Sequence, residues 1–139
     1  MKIQGKHFVI TGGGSGLGAA TAEYLVQKGA SVTLVDMNAE VGTQQAQALG
    51  EKAEFVQLDV TDEQAAEQFF KDVLVKHGAV HGLVNCAGIG PSAKVVGKDG
   101  VHDLGMFSKT LQINVTGTFN MLRLAAEAMS KNEVAEGDE

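Results

Sequence analysis

The chain has 139 residues, 44% of them hydrophobic and 20% charged, and its 17 acidic against 11 basic side chains leave a net charge of −6. This suits one domain with a sizeable core over positions 1–139, and it argues against a disordered chain and, for want of a basic cluster, against nucleic acid or an anionic membrane as the partner. No apolar run approaches a bilayer span, Met1-Lys2-Ile3-Gln4-Gly5-Lys6 lacks the apolar core of a signal peptide, and the lone Cys86 cannot form an internal disulfide, so a cytoplasmic protein with a small-molecule ligand is expected.

In chain order, short apolar runs alternate with longer amphipathic ones, the pattern of an α/β fold with a parallel sheet covered on both faces. Strands are predicted at His7–Thr11, Ser31–Asp36, Ala53–Asp59 and Val80–Asn85. Gly18, Ala22, Leu25 and Gly29 recur at helical spacing after the first strand, which predicts the first crossover helix. A second helix is predicted from about Ala39 to Leu49, ending at Gly50. Thr61, with Gln64 three residues on, reads as the cap of a third helix that buries Ala66, Phe69, Phe70, Val73 and Leu74 before Gly78. The segment Ala87–Gly105 holds five glycines and the only proline, Pro91, and reads as a long functional loop. A long fourth helix carries Phe107, Leu111, Val115, Phe119, Leu122 and Met129 on one face, a stripe expected to pack on the sheet or on another subunit. From Lys131 to Glu139 the acidic sequence reads as a surface loop or frayed end.

The run Thr11-Gly12-Gly13-Gly14-Ser15-Gly16-Leu17-Gly18 lies between the first strand and the first helix. A helix N-terminus presents unpaired N–H groups and a positive dipole end, and glycine lets an anionic pyrophosphate reach them. A dinucleotide site then needs an acceptor for the adenosine ribose hydroxyls at the end of the second strand, where Asp36 stands. A carboxylate there repels a 2′-phosphate, and neither Met37 nor Asn38 offers a cation, which favours NAD over NADP.

The combination of Thr11-Gly12-x-x-x-Gly16-x-Gly18, Asp59-Val60, Asn85-Cys86-Ala87-Gly88 and Asn114 resembles the short-chain dehydrogenase/reductase family across almost the whole chain. The resemblance implies a Rossmann-type doubly wound parallel sheet with strand order 3-2-1-4, truncated after the fourth strand, and a cofactor across the carboxyl ends of the strands. It places Gly12, Ser15, Gly16, Leu17 and Gly18 at the pyrophosphate, Asp36 at the adenosine ribose, Asp59 and Val60 at adenine, and Cys86, Ala87 and Gly88 beneath the nicotinamide-side ribose. Cys86 departs from the commoner Asn-Asn-Ala-Gly form and reads as packing against the cofactor rather than as a reactive thiol. Asn85-Cys86-Ala87-Gly88-Ile89 and Gly117-Thr118-Phe119-Asn120 with Arg123-Leu124 look most like the type-2 3-hydroxyacyl-CoA dehydrogenases, some of which act on hydroxysteroids. That subgroup implies oxidation of a 3-hydroxyacyl-CoA in fatty-acid metabolism, with Lys94 or Lys98 as candidates for CoA phosphates and solvated loop lysines as the plainer reading.

The family transfers the alcohol proton through a serine and a tyrosine four residues before a lysine, with an asparagine supporting a water relay. Only the asparagine has a match, Asn114, whose placement inside a helix invites a functional role. Tyr24 and Lys28 have the spacing, but they lie on the first crossover helix with side chains directed away from the cofactor end, and Tyr24 is the sole tyrosine. The chain therefore reads as a cofactor-binding half that is inactive alone, the alternative being a non-catalytic dinucleotide-binding or interaction module ending naturally at Glu139. A sheet cut after its fourth strand has an open apolar edge, so self-association of the isolated chain is expected, as is a homo-oligomer for the complete protein. No metal site is expected: His77 and His81 straddle a helix end without a shared face. Asn114-Val115-Thr116 is formally a glycosylation sequon but falls in a helix, in a chain read as lacking an export signal.

Overall fold

The computed structural model describes residues 2–133, and the part of the expected surface loop from 134 onward lies outside the described residues. Strands β1 (His7–Thr11), β2 (Ser31–Asp36), β3 (Ala53–Gln57) and β4 (Gly82–Asn85) form a parallel sheet in the order β3-β2-β1-β4. Val9 stands opposite Thr33 on one side and Leu83 on the other. This is the strand order of the Rossmann half expected above.

Both faces of the sheet are covered, which is why the central strands are apolar without alternation. Phe8, Ile10, Val32 and Leu34 pack against Ala22 and Leu25 of α1 (Gly16–Gln27) and Ala46 of α2 (Ala39–Leu49). Val9 and Val35 point the other way, onto Phe69, Phe70 and Val73 of α3 (Glu63–His77) and Met121, Leu124 and Ala125 further along the chain. Ile10 and Leu34 are fully buried, each contributing about 2–3 kcal/mol by leaving water.

Three details differ from the sequence reading. First, β3 stops at Gln57 rather than Asp59, and β4 starts at Gly82 rather than Val80. Second, α3 is capped by Asp62, whose side chain accepts from Ala65 N–H at 2.9 Å, and not by Thr61. Asp59 takes both the backbone N–H and the hydroxyl of Thr61, at 2.9 and 2.7 Å, so that hydroxyl is spent one residue upstream of the cap. Third, the expected loop Ala87–Gly105 contains a two-residue hairpin, β5 (Val96–Gly97) with β6 (Gly100–Val101), and ends at Asp103, which caps α4 (Leu104–Leu111).

The fourth helix departs most from expectation. A wide π-helical turn at Gln112–Gly117 separates α4 from α5 (Thr118–Ser130). An extra residue in a turn rotates every later side chain by about 100°, so a stripe counted on an unbroken helix changes phase. The face of α5 that meets the core is Asn120, Met121, Leu124, Ala125 and Ala128, while Phe107, Leu111, Val115, Phe119 and Leu122 are exposed. Of the expected stripe, Met129 alone packs against the core, partly buried; the other five residues do not pack on the sheet.

Candidate functional site

The chain leaves β1 at Thr11, turns through the glycines and enters α1 behind Ser15. The N-caps of α2, α3 and α4 each accept a hydrogen bond from their own first turn: Asn38 from Glu40 and Val41, Asp62 from Ala65, Asp103 from Met106. Ser15 is the exception. Its backbone is extended and its side chain makes no cap hydrogen bond, so the first N–H groups of α1 face outward with no side chain in front of them, the arrangement that attracts an anion. Gly16 sits at φ +53° with open space where a side chain would begin, so only glycine is unstrained there. Gly18 is needed for another reason. A Cβ on it would lie 2.1 Å from the Gly12 carbonyl oxygen, so the helix can approach the turn this closely only without one.

This turn borders a cavity of about 860 Å³ across the carboxyl ends of the strands. Gly12, Ser15, Gly16, Leu17 and Gly18 line one side, Asp36, Asp59 and Val60 another, and Cys86, Ala87 and Gly88 the floor. The structure thus gathers every cofactor-site position picked out in the sequence around one space. Further lining residues were not singled out: Val35, Met37, Leu58, Ile89, Pro91, Met106, Lys109 and Ile113. They come from strand ends, the loop after β4, α4 and the π-helical turn, and nothing in their local sequence distinguishes them from packing residues.

Asp36 is held by the turn it serves. Oδ2 accepts from Gly14 N–H at 3.1 Å and Oδ1 from Asn38 N–H at 3.0 Å, leaving further lone pairs of an ionised carboxylate for a ligand hydroxyl. Thr11, fully buried, joins the end of β1 to the segment that follows β4. Its hydroxyl accepts from Cys86 N–H at 3.2 Å and Ala87 N–H at 3.1 Å, which fixes the floor relative to the glycine turn.

Asn114 lies inside the π-helical turn, a distortion that recurs at functional sites. Its side chain spans the backbone of Ile89, Nδ2 donating to the carbonyl at 2.7 Å and Oδ1 accepting from the N–H at 2.8 Å. Both ends of the amide are used, and what they hold is the segment that follows the floor residues. Tyr24 is more than half exposed on α1 with the Lys28 amine 5.4 Å from its ring centroid, and it is not among the cavity residues.

His77 and His81 belong to a second polar cluster at the amino end of the sheet, with His7, Glu54 and Lys76. The His7 ring stacks on His77 at 3.8 Å, with planes 12° apart, and the backbone N–H of His7 donates to His81 Nδ1 at 3.0 Å. Thr33 donates to Glu54 Oε1 at 2.7 Å, so it receives from His7 Nε2 at 3.0 Å, and His7 Nδ1 in turn accepts from the Ser31 hydroxyl at 2.8 Å. His77 at 2.6 Å and Lys76 complete the ring of donors on Glu54. Burial, then the adjacent His77 imidazole, hold the His7 pKa down to about 4. Burial alone raises the Glu54 pKa, but hydrogen bonds from Lys76, His77 and Thr33 outweigh it and bring the group down to about 2. His7, Glu54 and His77 place ligand-type atoms within 4.8 Å of one another. The lone pairs of two nearly parallel rings do not converge on one point, however, and each of these atoms already has a partner. The cluster is a structural buttress in which His7 and Glu54 are as important as the two histidines visible from spacing.

Comparison with known proteins agrees with this geometry. The family model for short chain dehydrogenase matches residues 6–137. The human 3-hydroxyacyl-CoA dehydrogenase type-2 is 42% identical over 137 residues, covering 97% of this chain and 52% of the relative. The Drosophila melanogaster protein of the same name is 42% identical over 127 residues, covering 90% and 50%. Among solved structures, NAD+-bound xylitol dehydrogenase superposes with a TM-score of 0.83 at 33% identity, covering 92% of this chain and 49% of that one. A short-chain type dehydrogenase/reductase from Mycobacterium ulcerans gives 0.81 at 32% identity, covering 93% and 48%. The chain spans about half the length of the curated relatives it matches. Glycine turn, strand order and family match together place the chain in the short-chain dehydrogenase family.

Proposed function

We propose that this chain supplies the NAD-binding half of an oxidoreductase acting on a small-molecule alcohol, most closely a 3-hydroxyacyl-CoA. The observation that carries the reading is the uncapped start of α1 facing a cavity that also presents the Asp36 carboxylate. In this reading the N–H groups at Gly16, Leu17 and Gly18 hold the pyrophosphate, and Asp36 accepts from the adenosine ribose. Val60 and Asp59 border adenine, and the Cys86–Gly88 floor supports the nicotinamide-side ribose. NAD, when bound, supplies the hydride acceptor. Asp36 also disfavours a 2′-phosphate, because a carboxylate already holding two N–H groups cannot turn away from it. The 3-hydroxyacyl-CoA substrate rests on likeness to relatives of that name, and a role in fatty-acid metabolism follows from that substrate. For the membrane, the structure adds only that no helix among the described residues is long and apolar enough to cross one.

Asn114 acts by holding Ile89, and through it the end of the floor; a share in a proton relay is part of the same proposal. Tyr24 lies outside the cavity, so no tyrosine of this chain is assigned the proton-transfer step. That point favours the second reading, nucleotide binding without turnover by these residues alone. Titration with NADH followed by fluorescence tests the shared core of both readings. Asp36→Ala is expected to raise the Kd about tenfold or more, by loss of charge-assisted hydrogen bonds, and Gly16→Val to abolish binding. Unchanged affinity in both variants would falsify the site.

A further inference from the structure

The cavity wall that follows β3 has no helix or strand of its own at Leu58–Val60, so something else must fix its shape. The Val60 carbonyl accepts from Asn120 Nδ2 at 2.9 Å, across 60 residues of chain. Asn120 is 7% exposed and lies on the α5 face that meets the core. Its Oδ1 accepts twice from Arg123, from Nε at 3.2 Å and Nη2 at 2.8 Å. A guanidinium only donates, so the oxygen end of the amide must face Arg123 and the NH₂ end must face Val60. Arg123 is itself held by Glu63 at 3.0 Å and Glu67 at 3.7 Å, both on α3. A second contact comes from Gly117, where a Cβ would stand 2.6 Å from Val60 Cγ2, so α5 begins directly against this wall.

We infer that Asn120 is a positioning residue for the adenine side of the site: it fixes the Val60 backbone, and Arg123 fixes Asn120. The inference rests on the dinucleotide reading and deepens it. A carbonyl with its donor removed reorients toward water, and Val60 moves with it. The adenine slot then changes shape while the glycine turn, on the far side of the cavity, stays as it is. Nothing in the local sequence around Asn120 announces this, because the partner is brought in by the packing of α5 on the loop after β3.

The test uses AMP, which carries the adenine half of the dinucleotide alone, measured by calorimetry on the full chain well below every variant's melting temperature. Asn120→Leu, similar in size but unable to donate, is expected to raise the AMP Kd about fivefold or more, and Arg123→Gln to raise it less. His7→Ala, at the opposite end of the sheet, is the stability control: it lowers the melting temperature and leaves AMP affinity alone. An Asn120 that only holds the fold would act like that control, and normal AMP affinity in folded Asn120→Leu overturns the inference. Should Asn120→Leu not fold, Arg123→Gln decides: a weaker AMP affinity supports the inference and an unchanged one overturns it. A wild-type chain that binds no AMP refutes the dinucleotide reading itself, a result distinct from the variant failing to differ.

Discussion

At the carboxyl end of the sheet, α1 starts behind a serine that caps nothing, and Asp36 has lone pairs to spare; at the amino end, Ser31, His7, Thr33, Glu54, His77 and Lys76 hydrogen-bond to one another in one connected network. Both ends are polar and both are built from the termini of the same strands. The difference is whether hydrogen-bonding capacity is closed within the chain or turned outward. Among the described residues no buried side-chain nitrogen or oxygen lacks a partner, whereas the backbone donors at the start of α1 meet no side-chain cap. One end stabilises the fold and the other is free to bind, and variants should separate the two effects.

The largest separation is expected from Gly18→Ala. Its new Cβ meets the Gly12 carbonyl oxygen at 2.1 Å, and a backbone atom cannot move aside without opening the turn. NAD affinity should fall about a hundredfold, equivalent to about 2.7 kcal/mol, by NADH fluorescence titration. Near-normal affinity would mean the turn does not form the cradle.

His7→Ala should do the reverse. It removes a buried ring from between Ser31 and Thr33 and ends its stacking on His77, for a loss of about 2–3 kcal/mol in urea unfolding. NAD affinity should stay within about twofold, since the carboxyl-end contacts are untouched.

Acid should act on the same end. The His7 pKa is lowered from 6.5 to about 4, so between those values the unfolded chain binds the proton that the folded one refuses. Stability is then fully present above about pH 6.5 and falls as pH drops through about 4, by on the order of 3 kcal/mol. Glu54, lowered from 4.5 to about 2, adds a second loss in the window from about pH 4.5 down to 2. Urea midpoints across pH should therefore fall in two overlapping stages, and His7→Ala should remove the upper one; a flat profile from pH 7 to 5 in the wild type would contradict the buried neutral ring.

Smaller effects sharpen the contrast. Asp36→Ala should narrow the preference for NAD over NADP, because it removes a carboxylate that repels the 2′-phosphate; a preference as wide as in the wild type would detach Asp36 from the ribose. Lys76→Ala should cost less than about 1 kcal/mol and respond to salt, since the side chain is 64% exposed although its amine is paired with Glu54. A loss above 2 kcal/mol would show the amino-end network to be more tightly coupled than its exposure indicates.

The comparison also separates what was legible from what was not. The glycine turn, Asp36 and the floor residues could be read because they lie at strand ends, where backbone geometry leaves few suitable residue types. The amino-end network could not, although His77 and His81 were noticed: His7, Glu54 and Thr33 are ordinary strand residues until three strands set them side by side. The exposed stripe from Phe107 to Leu122 misled for another reason. The fourth helix is apolar on two sides, and periodicity alone selects the longer row, whereas the π-helical turn at Gln112–Gly117 hands the core to Met121, Leu124 and Ala125.

By itself the sequence determined the alternation of buried strands and amphipathic helices, the turn at Gly12–Gly18 and the carboxylate at Asp36, because those depend on side-chain size, period and charge within a few residues. Only the tertiary structure decided that Asn114 holds Ile89, that Asn120 reaches Val60 and that His7 sits neutral beneath His77. These are contacts between elements distant in the chain, and which of several possible partners a polar side chain meets is set by how helices and strands pack rather than by its neighbours in sequence.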